Sequence, residues 1–146
     1  MAKSPPLTRT LGFFAALLLA LCAGAVWSVV ALFTGSGAAW MALPAGIVSG
    51  IGIATVGTHD AATRALIAGL LTLTSAAYAY FLNAATVISM TLGIPFQSAL
   101  ADIGAEMAWA MTVARLSAVS AALVAVGALL AALTAWLRTT KDRREK

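Results

Sequence analysis

The stretch that decides the fold class is residues 11–33, which read LGFFAALLLALCAGAVWSVVALF without a single charge. The hydrocarbon core of a bilayer is roughly 30 Å thick, and a helix needs about 20 mostly apolar residues to cross it. Three further stretches meet this requirement, at about 38–56, 65–82 and 116–137. The sequence therefore predicts an all-α membrane protein with four transmembrane helices.

The composition of the whole chain agrees with this prediction. Of its 146 residues, 62% are hydrophobic and 10% are charged, whereas a soluble domain is roughly 45–50% apolar and about 25% charged. These figures exclude a disordered tail, a collagen-like repeat and a disulfide scaffold, and the one cysteine, Cys22, excludes an internal disulfide. Seven of the nine Lys and Arg residues cluster at the two termini rather than along a groove, so no nucleic-acid partner is expected.

The connections between the spans differ in length. A four-residue turn, 34–37, joins the first two spans into a hairpin, and Asp60 lies where it can cap the third helix. The third helix either runs beyond the bilayer or breaks near Asn83. The triplet 93–95, Gly-Ile-Pro, predicts a turn after it.

An amphipathic helix over about 96–114, lying at the interface before the fourth span, is expected next. Its apolar residues recur at steps of three and four. This stripe comprises Phe96, Leu100, Ile103, Met107 and Met111.

The distribution of positive charge predicts the orientation. If both termini are cytoplasmic, as tails 1–10 and 138–146, eight of the nine Lys and Arg residues lie inside. Only Arg115 is then exported, and the alanine and glycine content indicates a bacterial inner membrane. Cleavage of the first span as a signal peptide near residues 23–25 is the alternative, although the apolar run continues to Phe33.

Two ladders of small residues provide the clearest pattern inside the spans. Close approach of helix backbones is a main source of helix association in lipid, so each ladder predicts a helix-packing face. Packing of the first two spans against each other is favoured over a dimerisation face between protomers. The ladders are Ala42, Gly46, Gly50 and Ala54 on the second span, and Ala16, Ala20, Gly24 and Ser28 on the first.

Polar and charged residues offer little chemistry. None of the four spans has an ionisable residue in its middle, and Arg64 and Arg138 can reach water from the span ends. No cofactor or metal site is expected, since His59 has no second His or Cys nearby. The remaining candidates form a speculative polar site, in which the two carboxylates lie four residues apart on the expected amphipathic helix. This site comprises Asn83, Asp102, Glu106 and Arg115.

A family resemblance rests on the hairpin. The run 31–35 (ALFTG), then Trp40 and Ala42, then Gly46 and Gly50, then 56–57 (VG), resembles a hairpin in small four-helix bacterial inner-membrane proteins. Tyr80 and the run 93–96 (GIPF) also lie where such proteins turn. The resemblance implies a fold without an activity.

Three functions remain open from the sequence. The first is a non-enzymatic membrane protein that associates with itself or with a larger complex. The second is a small oligomeric channel or transporter, lined by hydroxyls such as that of Thr72. The third is an enzyme acting on lipid through Asp102 and Glu106, against which a solvated acidic pair is the simpler interpretation.

Overall fold

The computed structural model describes residues 6–35, 38–54, 60–102, 104–115 and 117–144. These residues are almost entirely helical and contain no strand, which confirms the all-α prediction. The helices are α1 (Pro6–Thr34), a short 3₁₀ turn (Ala39–Met41), α2 (Ala42–Ala54), α3 (Ala61–Leu92), α4 (Phe96–Asp102), α5 (Ala105–Arg115) and α6 (Ala118–Arg144).

Within the described ranges, three segments are long and apolar enough to cross a membrane: Thr10–Thr34, Ala61–Leu92 and Ala118–Arg138. The second predicted span is a shorter apolar helix, Ala39–Ala54. At 1.5 Å per residue this helix is about 24 Å long, less than the hydrocarbon thickness of a typical bilayer. Residues 55 and 56 of the expected span lie outside the described residues.

Both ends of α3 match the sequence signals. The Asp60 carboxylate accepts a hydrogen bond from the backbone N–H of Thr63, which confirms the predicted cap. Gly93 ends the helix in the left-handed conformation at φ 65°, a region that glycine enters without steric cost, so the predicted turn is also confirmed. The helix continues through Asn83 without a break and extends ten residues beyond the predicted span, to Leu92.

The prediction of a single helix over 96–114 is wrong, because two shorter helices occupy this region. α4 ends at Asp102 and α5 begins at Ala105, with Gly104 between them. Glycine is unfavourable inside a helix by about 1 kcal/mol, and α4 is held by Ala99, which is buried against Ala85 and Ile88 of α3. The apolar stripe is therefore divided between two helices, and its member Ile103 lies outside the described residues.

The last helix is longer than predicted. It is separate from α5 because Ser117 caps its first turn, where the Ser117 hydroxyl accepts the backbone N–H of Ser120 at 3.1 Å. It then runs on to Arg144, so most of the predicted tail 138–146 continues the helix.

The long helices pack in two parallel pairs. α1 runs parallel to α3, because Gly24 lies against Ser75 and Ser28, one turn later, lies against Asn83. α2 runs parallel to α6, and the two pairs are antiparallel to each other.

Three clusters of buried residues hold this arrangement together. The first cluster joins α1, α2, α3 and α6. The second joins α1, α2 and α3 with Ala38, the residue before the 3₁₀ turn. The third joins only α3 and α4. The first contains Ala16, Ala20, Ile53, Ala68, Leu71, Ala131 and Ala135, and the second contains Trp27, Ala31, Ala38, Ala42, Ala76 and Ala79.

Candidate functional site

Among the glycines of the described residues, those of α2 and α6 make very close contacts between the two helices. A Cβ atom added at Gly46 would lie 2.9 Å from the carbonyl carbon of Gly127, and one added at Gly127 would lie 2.8 Å from the carbonyl carbon of Ala42. Because these neighbours are backbone atoms, no side chain can rotate away to make room. The two helices touch backbone to backbone, and both positions require glycine.

The other ladder glycines make similar contacts with later helices. A Cβ atom at Gly50 would lie 2.7 Å from the carbonyl oxygen of Ala131 on α6, and one at Gly24 would lie 2.6 Å from the carbonyl oxygen of Ser75 on α3. The two ladders were expected to pack against each other, and in the structure they do not. Each ladder faces a helix that comes later in the chain.

Seven of the eight ladder residues are buried within the single chain, and Ala54 is half-buried. A side chain already covered by its own chain is not available to a second protomer. The eight residues are therefore placed as internal packing positions, on α1 against α3 and on α2 against α6.

The partner face on α6 was missed. Five alanines of the fourth span also recur at steps of three and four, but three of them are exposed and two are half-buried; they are Ala118, Ala122, Ala125, Ala128 and Ala132. The buried face is Gly127, Ala131 and Ala135, again at every fourth position. The glycine at the head of this ladder was the available signal, since a helix contact in lipid favours the smallest residue.

The polar interior is largely paired. The Ser28 hydroxyl donates to Oδ1 of Asn83 at 3.3 Å. The Thr72 hydroxyl donates to the carbonyl of Ala68 at 3.0 Å, the local bond that threonine commonly makes in a helix. Two buried serine hydroxyls, those of Ser49 and Ser75, have no hydrogen-bond partner among the described residues.

The speculative polar site is not assembled by any described contact. Asn83 is half-buried and bonded to α1, whereas Asp102 and Glu106 are exposed on two different helices. Arg115 is the last residue of α5, and its side chain lies outside the described part. Because α4 ends between the two carboxylates, they do not form a pair on one helix face.

No group of three His, Cys, Asp or Glu residues that could hold a metal ion occurs in the described ranges.

Arg64 differs from its expected role. It was expected to extend into water, but only 8% of it is exposed, and its guanidinium donates to the carbonyl of Ala54 at 3.4 Å. Ala54 is the last residue of α2, where helix carbonyls lack partners within the helix and favour a nearby cation. Arg138, in contrast, is exposed as expected.

An apolar groove of about 300 Å³ separates α1 from α2. The glycine face of α2 is turned toward α6, so Pro44, Ala45 and Val48 form the α2 side of the groove. Leu19 closes one end by packing against Gly52, where an added Cβ atom would lie 3.0 Å away. The groove is lined by Leu19, Cys22, Ala23 and Val26 of α1, by Met41 of the 3₁₀ turn, and by Pro44, Ala45 and Val48 of α2.

No family model matches the chain, and no curated protein or solved structure matches it. The resemblance of the hairpin to small bacterial inner-membrane proteins therefore stays a prediction.

Proposed function

We propose that the chain is a multi-pass inner-membrane protein without a catalytic site, which acts as a structural, accessory or assembly component of a membrane complex. In this proposal α2 is a fourth span and both termini are cytoplasmic. The three long apolar helices support the membrane placement.

The packing directions support the four-span topology. Parallel pairing of α1 with α3, and of α2 with α6, is what a chain that crosses the bilayer at each long helix must give. The end of the bundle that holds Arg64 and Arg138 is also the end to which the basic terminal segments lead. The positive-inside rule assigns this end to the cytoplasm.

The observation that carries the assembly role is the exposed face of α6. In its apolar window 17% of the residues are buried, compared with 33% for α1 and for α3. Large apolar side chains cover the rest of this face. They are Val119, Val126, Leu129, Leu133, Trp136 and Leu137. A helix that its own chain covers so little presents a broad apolar surface to another membrane helix.

Site-specific crosslinking in native membranes tests this role. In a Cys22→Ala background, we expect Leu129→Cys, on the exposed face of α6, to form a crosslinked species of defined mass. Leu70→Cys is the matched control, because Leu70 is comparably exposed but lies on α3.

Native mass measurement in mild detergent complements the crosslinking. A strictly monomeric protein that gives no product from Leu129→Cys, or equal products from both positions, would contradict the assembly role.

A small oligomeric channel or transporter is the second candidate. The unpaired hydroxyls of Ser49 and Ser75 favour it, because buried polar groups without a partner are unfavourable unless they serve a purpose. The backbone contact of Gly46 with Gly127 leaves no room for a pore between α2 and α6. Solute flux into liposomes that responds to Thr72→Val or Asn83→Ala would support this candidate, and absence of flux across a broad solute panel would contradict it.

A further inference from the structure

We propose that the groove between α1 and α2 binds one acyl chain of a bilayer lipid. The groove lies between two apolar helices, at the depth where the hydrocarbon chains of lipids surround a membrane protein. This inference shares the membrane placement proposed above and is independent of the assembly role.

The chemistry of the lining selects an uncharged, apolar occupant. No lining residue carries a charge, and the thiol of Cys22 is the most polar lining group. A buried water requires two to four polar partners, and this lining does not supply them. A lipid headgroup, a polar solute and an ion are unsuited to the groove for the same reason.

The size of the groove selects a single chain rather than a second protein. From Leu19 to Val26 it follows α1 for about 10 Å at 1.5 Å per residue. A volume of about 300 Å³ is at the lower end of the range of small-ligand sites. A stable protein interface buries roughly 800 Å² on each partner, far more than a groove bounded by eight side chains can provide.

Binding of the acyl chain is favourable because of dispersion contacts with the groove walls. The hydrophobic effect contributes little, since the acyl chain leaves one apolar medium for another. In an empty groove the lining atoms face no partner and lose dispersion attraction. A flexible chain that lies in the groove contacts α1 on one side and α2 on the other. Leu19, packed against Gly52, stops it at the far end.

The test uses the full-length protein in vesicles of phosphatidylethanolamine and phosphatidylglycerol that contain a phospholipid with a photoreactive diazirine in one acyl chain. After illumination, peptide mapping should show labelling of residues 19–26 and 41–48 several-fold above that of the exposed face of α6. Ala23→Leu fills the groove and should abolish the excess. Ala122→Leu adds the same bulk on the exposed face of α6 and should leave the excess unchanged.

A chemical block avoids dependence on how Ala23→Leu folds. Alkylation of Cys22 with a bulky maleimide in detergent micelles, verified by the mass of the modified protein before its return to vesicles, places the obstruction after folding. The excess labelling of this modified protein should again disappear. For a protein that remains in the membrane, two results would overturn the proposal. One is equal labelling around the bundle, and the other is excess labelling of the groove that persists in both Ala23→Leu and the alkylated protein. Recovery of the protein from the aqueous fraction would instead refute the membrane placement itself.

Discussion

The glycine contact between α2 and α6 gives the sharpest stability prediction. Gly127→Ala adds one methyl group that would lie 2.8 Å from the carbonyl carbon and 3.0 Å from the Cβ atom of Ala42. Normal contact requires the helices to move apart by about 0.5–1 Å, which forfeits a quarter to a half of the dispersion attraction across the contact. Overpacking of this kind destabilises proteins by about 1–3 kcal/mol.

The matched control is Gly69→Ala on α3. The nearest atom to an added Cβ atom there is the carbonyl oxygen of Ala128, at an ordinary 3.7 Å. Both substitutions gain the same helix propensity, up to about 1 kcal/mol, so the difference in unfolding free energy between the two variants isolates the steric term.

Reversible unfolding in mixed detergent micelles, followed by tryptophan fluorescence, measures this difference. For a chain of this size about 1–3 kcal/mol corresponds to a melting temperature for Gly127→Ala roughly 2–12 °C below that of Gly69→Ala. Equal stability of the two variants, or a more stable Gly127→Ala, would refute the backbone contact of α2 with α6.

Three further substitutions test individual polar contacts. Asp60→Ala removes the cap of α3 and should lower the unfolding free energy by about 0.5–2 kcal/mol, measured by thermal unfolding in detergent. Arg64→Gln removes the charged donor at the end of α2 and should destabilise the fold by about 1.5–3 kcal/mol, whereas the exposed Arg138→Gln should change it little. A double-mutant cycle on Ser28→Ala and Asn83→Ala should give a coupling of about 0.6 kcal/mol, typical of a hydrogen bond between membrane helices.

Each of these three predictions has a clear contradicting result. Unchanged stability of Asp60→Ala would show that Thr63 needs no acceptor there. Equal effects of Arg64→Gln and Arg138→Gln would contradict the bond to Ala54. Additive effects of Ser28→Ala and Asn83→Ala would mean that the two side chains do not interact.

Local signals in the sequence predicted the long apolar helices and the cap and turn at the two ends of α3. The Asp60 carboxylate acts on the backbone N–H of Thr63, three residues away, and Gly93 acts through its own φ angle, so both roles depend only on neighbouring residues. The uncharged run 11–33 likewise specifies a long apolar helix whatever packs beside it. Such features can be recognised before any tertiary contact is known.

The choice of partner helix could not be predicted in the same way. A ladder such as Gly46 and Gly50 specifies a surface that another backbone can approach, but it carries no information on which backbone that is. Alanine is so frequent in this chain that many faces qualify. The burial of Arg64 was missed for a related reason, because it depends on where the end of α2 lies in space.

The division between α4 and α5 combines both kinds of information. Gly104 was a visible local weakness within the expected helix 96–114. The burial of Ala99 against Ala85 is a tertiary contact that periodicity alone does not reveal.

The pairing of α2 with α6 also has a consequence for biosynthesis. Gly46 leaves the ribosome about eighty residues before Gly127, and contacts between such distant positions form only after the intervening chain is in place. During that interval the glycine face of α2 has not yet met its final neighbour. A nascent chain that stops before α6 would leave this face open to other membrane proteins, so premature termination should be more harmful here than the loss of one terminal helix implies.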